Sequence, residues 1–364
     1  MTMKKIYLSA VMTAMLCGLT CTTANAKCWR VNHDTNTGAH FVSLGKAMSS
    51  ENVVAGDTLY LDPGMITSEA VTINKQVTII GTGYLRASSP HQFAHVSHTL
   101  TITAENTKIE GLWCGNIYIQ AKNVTIERCY ATGNVQVNNS TYNKNYTGIV
   151  IRQCYITGLV GSTSTTTSYY MYNSTIENNI IISSSGTSTG QSPLNGLYSG
   201  VVRNNYIRYS GTDGDPYAIN GGVNTNYYNN VLLNSKSPEK VINVGSSCNS
   251  YNNIYSSSPV ASDDPEVAPI MVDEKNNYRL GSADASLIFT MSGNNDERYS
   301  ELKEDSPAIG FGVDGADCGP SGGLYPYVVS GLPAYHPYYT NAVFSRTSDR
   351  TGISVSLKIK MQNE

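Results

Sequence analysis

The chain has 364 residues, a formal net charge of −3 and only 14% charged side chains. A charge-poor chain with no basic stripe gives nucleic acid nothing to hold, so no nucleic-acid role is expected. Beyond the N-terminus no stretch is long and apolar enough to cross a bilayer, so no transmembrane segment is expected.

Residues 1–26 read as an export signal. Lys4 and Lys5 precede a short apolar run from Ile6 to Thr20, and Ala24-Asn25-Ala26 provides a small-x-small cleavage site. A lipoprotein would use Cys17 or Cys21, but Met15-Leu16 and Leu19-Thr20 in front of them are not the small residues such a site requires. The mature chain is expected to be secreted, whether periplasmic, surface-bound or extracellular.

After cleavage, Ala39 to Ser49 predicts a short helix with Phe41, Leu44, Ala47 and Met48 on one face, suited to capping the strands after it. AGDTLYLDPG is a strand between two turns, and VTINKQVTIIG and LTITAENTKIEG continue the alternation. From about Ile117 to Ser258 a phrase recurs: VTIERCY, IVIRQCY, STIENNI, GVVRNNY, NYYNNVL and NSYNNIY. Aligned on one column it reads Cys129, Cys154, Asn179, Asn205, Asn230 and Asn253, with steps of 25, 25, 26, 25 and 23 residues. A period in this range means stacked units too small to bury their own apolar faces. Short apolar alternation broken by polar pairs means strands and tight turns. Together these make the chain a β-solenoid.

On AGDTLYLDPG with VTINKQVTIIG, on the IxNN-type repeats and on the ending SPAIGFGVDGADCG, the chain resembles the right-handed parallel β-helix, pectate-lyase-like family of bacterial exported proteins. The likeness covers roughly residues 40 to 325. It implies an all-β solenoid with three strands per coil, a short N-terminal capping helix and an irregular C-terminal closing segment. The domain division is 1–26 signal, 27–260 β-helix with cap, 261–330 closing segment and 331–364 tail or edge strand. Within each coil VTI or STI is the second strand, and the first Asn of the pair turns the corner in a left-handed conformation. The second Asn points inward, so Asn179, Asn205, Asn230 and Asn253 form a structural ladder. Cys129 and Cys154 share that column and either pair or sit as two buried thiols; their inward Asn neighbours favour thiols. Six mature cysteines allow too many pairings for a framework to be assigned.

Two sets of columns could carry chemistry. Glu110, Glu127, Arg152, Glu177 and Arg203 stand just before the turn on the outside, alternating in sign from Glu127 onward, which a charge ladder explains. The resemblance implies that chemistry sits instead on the first strand of each coil and the loops leading into it. Those strands are IYIQ at Ile117, VQVN at Val135, YYMYN at Tyr169, NGLYSG at Asn195, YAIN at Tyr217 and VINVG at Val241. Alternation puts Ile119, Val137, Met171, Leu197 and Ile219 inside. It puts Tyr118, Gln120, Gln136, Asn138, Tyr170, Tyr172, Tyr198 and Asn220 outside. Tyr118, Gln136, Tyr170, Tyr172, Tyr198 and Asn220 are the candidate ligand-binding residues: flat rings with a polar end, and amides, on a face without His, Lys or Arg.

Asp213-Gly214-Asp215, with Asp263 or Asp264, offers clustered oxygens that could hold calcium or serve as a weak catalytic pair, and is equally an ordinary turn. His91, His95 and His98 fall near one another in a stretch read as loop, while His33, His40 and His336 are scattered; they define no metal geometry. GFGVDG from Gly310 and GPSGG around Ser321 match nucleotide-binding and nucleophile patterns but lack the strand–helix context both need. The expectation is a secreted or surface protein binding extracellular polysaccharide or surface glycan, with no evident catalytic set and no firm cofactor. The alternatives are a polysaccharide lyase or glycoside hydrolase, and a structural or adhesive solenoid. Ligand identity and oligomeric state are not encoded legibly.

Overall fold

A computed structural model describes residues 26–64, 66–84, 93–137, 146–162, 170–184, 192–212, 214, 216–257, 276–290, 299–332, 337–346 and 353–361. The proposed export signal, Asp213, Asp215, Asp263, Asp264, Asn138, His91 and His336 lie outside the described residues. The chain is a parallel β-helix. Among the described residues, strands of two to five residues stack coil on coil into three parallel sheets of ten strands each. One coil shows the plan: Ile117–Ile119 lies in sheet 1, Thr125–Glu127 in sheet 2 and Tyr130–Ala131 in sheet 3. The next coil begins at Val135–Val137, paired in register on Ile117–Ile119. The first strands of all six expected coils fall in sheet 1, and the VTI-type phrases fall in sheet 2. Period-2 alternation buries one side of each strand, and Ile126, Ile151, Ile176 and Val202 of sheet 2 face Ile119, Val137, Met171 and Leu197 of sheet 1 across one apolar core, none of them measurably exposed.

The corners explain the repeat. Arg128, Gln153, Asn178, Asn204, Asn229 and Asn252 all have φ between +51° and +56°, so the residue after each sheet 2 strand is left-handed, as expected of the first Asn. The next residue points inward. Asn179, Asn205, Asn230 and Asn253 are fully buried, and each side-chain amide donates to the next Asn Oδ1 along the stack: 3.0 Å from Asn179 to Asn205, 2.9 Å from Asn205 to Asn230, 2.9 Å from Asn230 to Asn253 and 3.1 Å from Asn253 to Asn277. Each Oδ1 also accepts a backbone N–H of the preceding coil, as Asn230 Oδ1 does from Asn205 N at 3.0 Å. The ladder ends at Cys154, whose Sγ accepts the Cys129 N–H at 3.4 Å. Cys129 and Cys154 are buried free thiols, as their column favoured.

The outer face of sheet 3 is a second core. His95, Trp113, Tyr130 and Tyr155 stack from coil to coil at ring-centre spacings of 4.7, 5.3 and 5.2 Å, and Tyr206 stands further along. The closing segment covers them: Phe289 and Tyr299 lie 4.9 and 4.8 Å from the Tyr206 ring. Tyr84 and Tyr327, joined through their hydroxyls, belong to the same buried cluster.

The same segment then runs back along the corner, antiparallel to the stacking direction. The left-handed corner residues hold it one coil at a time. Asn252 Nδ2 donates to Phe311 O at 2.9 Å, Asn229 Oδ1 accepts from Val313 N at 2.9 Å, and Asn204 Nδ2 donates to Asp317 O at 3.0 Å. Asn178 Nδ2 donates to Pro320 O at 3.0 Å and Gly322 O at 2.6 Å, Gln153 Nε2 to Pro326 O at 2.6 Å, and Arg128 Nη1 to Leu332 O at 3.4 Å.

The charge ladder points outward as expected, beside the strap; Glu110, Glu127 and Glu177 are 3–4% exposed, while Arg152 and Arg203 keep 23% and 30% of their side chains exposed. The sign alternation is real: Arg152 meets Glu127 at 3.2 Å and Arg203 meets Glu177 at 2.7 Å, while Lys108 bridges Glu110 and Glu127 at 2.9 Å each. The Arg152 guanidinium lies 4.3 Å from the Tyr325 ring centre. Burial alone would raise the Glu127 carboxyl; Lys108 and Arg152 outweigh it and hold the group below its ordinary value.

The capping helix is shorter than expected. It spans Leu44–Ser49, with Ser43 Oγ capping the Lys46 N–H and Leu44, Ala47 and Met48 buried. Phe41 precedes the helix, paired with Val31 at the edge of sheet 2 and stacked on Trp29. The last strand of sheet 3 is Tyr278–Arg279, on the far side of the segment 258–275. Pro337–Arg346 and Ile353–Met361 form a separate antiparallel pair. The ISVSLKIK strand, expected as an edge strand or tail, is one half of it.

Candidate functional site

The closing segment covers the outer face of sheet 3; among the described residues, the outer face of sheet 1 carries half-buried and exposed polar side chains. Register places its outward residues in two columns. One runs Thr72, Thr101, Tyr118, Gln136, Gly161, Asn195, Asn220, Asn243, interrupted at its middle, where Gly161 has no side chain and Asn195 is buried. The other runs Thr147, Tyr172, Tyr198, Val223. Successive members repeat at the sheet spacing of about 4.8 Å. Tyr118, Gln120, Gln136, Tyr172, Tyr198 and Asn220 are half-buried on this face, where alternation put them.

The second column arises from an irregularity. In the strands Leu194–Tyr198 and Ile219–Val223 a central glycine, Gly196 or Gly221, takes φ of +70° or +71° and shifts the alternation. In the two preceding coils sheet 1 holds two short strands each, Val135–Val137 with Tyr146–Thr147 and Val160–Gly161 with Met171–Tyr172. One member of the expected set moves as a result. Tyr170 is not on the open face: it is 5% exposed, its ring laid over the two glycines. A side chain at Gly196 would meet its Cδ1 at 2.8 Å, and one at Gly221 would meet its hydroxyl at 2.7 Å. The ring fills the space that two missing Cβ atoms leave, and burial raises its hydroxyl pKa. Simple period-2 counting misses this because the bulge inserts a residue.

Tyr172 and Tyr198 stack on each other, ring centres 4.7 Å apart and planes 24° apart. Their mutual faces are used, so a ligand meets the outer ring faces, the edges and the hydroxyls. The amides of the first column are partly ordered. Asn134 Nδ2 donates to Gln136 Oε1 at 3.2 Å, and Asn243 Nδ2 donates to Asn220 Oδ1 at 2.8 Å. That leaves the Asn220 amide nitrogen directed away from its neighbour as a donor. The strands of sheet 1 carry no Asp, Glu, Lys, Arg or His. The face as described hydrogen-bonds and stacks; it holds no ionised group that would take a proton or pair with an acidic sugar.

At the edge of the face, buried Asn234 fixes two of the leading loops. Its amide donates to Pro216 O and Lys240 O at 2.8 Å each, and its Oδ1 accepts the Lys236 and Ser237 N–H groups at 3.1 and 3.0 Å. Lys240 lies 5.9 Å from the Tyr217 ring centre, just before the strands that begin at Ile242 and Ile219. Asp213 and Asp215 fall outside the described residues, but Gly214 between them accepts a hydrogen bond from Lys236 Nζ. Among the described residues no three His, Cys, Asp or Glu gather as a metal-binding group. His95 belongs to the ring stack of sheet 3, where burial lowers its pKa, and His40 Nδ1 accepts from Arg30 N at 3.0 Å.

Sequence reasoning missed the corner column as a docking element. Its signal was Arg128 and Gln153: long side chains at left-handed positions that Asn or Gly would fill with less strain. Asn234 carried no comparable signal, since it lies outside the repeated phrase. No protein-family model matches the chain, and no curated protein matches it.

Proposed function

We propose that this is an exported β-helix protein, of the pectate-lyase-like kind, that binds polysaccharide along the outer face of sheet 1 without a catalytic set of its own. One observation carries the proposal. The chain's own closing segment covers the aromatic face of sheet 3, and the carboxylates of the charged column of sheet 2 are buried in ion pairs, whereas Tyr118, Gln136, Tyr172, Tyr198 and Asn220 are half-exposed on an uncharged face. A solenoid repeats its outward groups at a fixed step close to the length of one pyranose ring, so a polymer of sugars can meet equivalent groups coil after coil. Rings stack on sugar C–H faces, and amides exchange hydrogen bonds with hydroxyls.

Affinity electrophoresis through gels carrying neutral or acidic polysaccharides tests the binding. In parallel, the protein is incubated with the acidic polymers and calcium while the absorbance of unsaturated product is followed. Retardation by at least one polysaccharide, with no product formed, is the expected result. Product above background would make the protein a lyase, with the Asp213-Gly214-Asp215 loop as the first place to look. Free migration in every gel would end the polysaccharide proposal.

A further inference from the structure

The helix Leu44–Ser49 packs on Val71–Ile73, the first strand of sheet 1, and a cavity of about 350 Å³ opens between them. Its floor is apolar, from Met48 and Val71, both nearly fully buried. Its polar lining is Ser43, Lys46, Glu69, Thr72 and Asn74. The Glu69 carboxylate stands against Gly45, 4.0 Å from where a β-carbon would lie. Neither Lys46 nor Glu69 has an ion-pair partner among the described residues.

Two features decide what fits. One ammonium and one carboxylate leave the cavity without net charge, so it has no need of an ionic ligand. A charged donor and a charged acceptor lining one cavity without pairing to each other suit groups that both give and take hydrogen bonds, and bonds to charged partners are roughly twice as strong as neutral ones. Hydroxyls on an uncharged ring meet that description, and the volume lies at the small end for ligand sites, room for one or two sugar rings. The second feature is continuity. Thr72 forms part of the cavity wall and is also the first outward member of the column Thr72, Thr101, Tyr118, Gln136.

We infer that this cavity seats the terminal, uncharged pyranose residue of a glycan whose other residues run down the Tyr118–Gln136 column of sheet 1. The inference rests on the proposed polysaccharide-binding function and sharpens it: the protein recognises chain ends, and its ligand is neutral. Lys46 donates to ring hydroxyls and Glu69 accepts from them.

The test is calorimetric titration with neutral cello-, xylo-, manno- and galacto-oligosaccharides, and with oligogalacturonides as the acidic comparison. Wild type is compared with Lys46→Met, Glu69→Gln and the pair Tyr172→Ala/Tyr198→Ala. Lys46 and Glu69 are exposed, so their variants should melt with wild type. A neutral oligosaccharide should bind, and Lys46→Met and Glu69→Gln should each weaken it about tenfold, the loss of one charge-assisted bond. Wild-type affinity in both cavity variants, with binding lost in the tyrosine pair, would overturn the inference and leave the sheet 1 face standing. Preference for oligogalacturonides would overturn the neutral end site. No binding by wild type to any of them would overturn the inference together with the function beneath it.

Discussion

Asn205→Ala removes the middle rung of the inner ladder, and the structure sets the size of the effect. The Asn205 amide donates to Asn230 Oδ1 at 2.9 Å, to Ile176 O at 2.8 Å and to Arg203 O at 2.9 Å. Its Oδ1 accepts from Asn179 N and Asn179 Nδ2, both at 3.0 Å. Truncation leaves the Asn179 N–H without an acceptor where no water reaches. That orphan costs about 1–3 kcal/mol and each lost amide bond about 1 kcal/mol net. Asn230 Oδ1 keeps the Asn205 N–H and Asn179 Nδ2 keeps Ile151 O at 2.9 Å, which trims the total. The expected loss is about 3–5 kcal/mol, or a fall in melting temperature of about 4–7 °C for a chain of this size. Thermal unfolding followed by circular dichroism measures it. Asn205→Asp keeps the acceptor but buries a charge facing three oxygens; it should be worse than Ala at neutral pH and recover part of the loss in acid. An Asn205→Ala protein that melts within about a degree of wild type would refute the ladder as a source of stability.

The remaining predictions concern other parts of the same scaffold. Cys154→Asn extends the ladder by one rung, replacing a weak sulfur acceptor for the Cys129 N–H with an amide oxygen, and should raise the melting temperature; a fall would show that the site cannot take the larger group. Asn178→Gly keeps the left-handed corner but deletes both bonds to the strap, so amide exchange should quicken across residues 317–323 while the sheets stay protected; unchanged exchange there would mean the strap is held by packing alone. Because Glu127 has its folded pKa depressed, its stabilising effect is full above the ordinary glutamate range, near 4.3, and is lost as pH falls through the lower folded value. Glu127→Gln should therefore melt below wild type at pH 7, with the gap closing in acid; a constant gap would assign the effect to packing. Burial raises the thiols of Cys114, Cys154, Cys248 and Cys318, the last to about 12, and Cys129 is buried with them, whereas Cys28 is exposed. The native protein should be alkylated at Cys28, and Cys114, Cys129, Cys154, Cys248 and Cys318 only after denaturation.

The solenoid was legible because its signals are local and repeated. A 25-residue period, a polar pair and a short alternation gave stacked strands and tight turns; the three strands per coil, the left-handed corners and the inward Asn column came from the resemblance to the β-helix family, and every coil repeats them because every coil solves the same packing problem. The ring stack of sheet 3 has no sequence signal of its own. Tyr130, Tyr155 and Tyr206 look alike in sequence whether they face solvent or Phe289 and Tyr299, and only a contact spanning tens of residues decides between the two. On the open face, Tyr118, Gln136, Tyr172, Tyr198 and Asn220 came out of alternation alone. Tyr170 did not, because Gly196 and Gly221 break the period by one residue. The cavity beside the capping helix joins Lys46 to Glu69 and Thr72 across a helix and a turn, and no repeat marks it.

The most direct test of sheet 1 as the binding face is the Tyr172→Ala/Tyr198→Ala protein in the polysaccharide gels that retard wild type. The two rings are half-buried and stacked on each other rather than on the core, so the variant should fold. Stacking on such rings contributes enough that its dissociation constant should rise at least tenfold. Retardation equal to wild type, from a variant with an unchanged melting curve, would contradict the assignment of binding to this face.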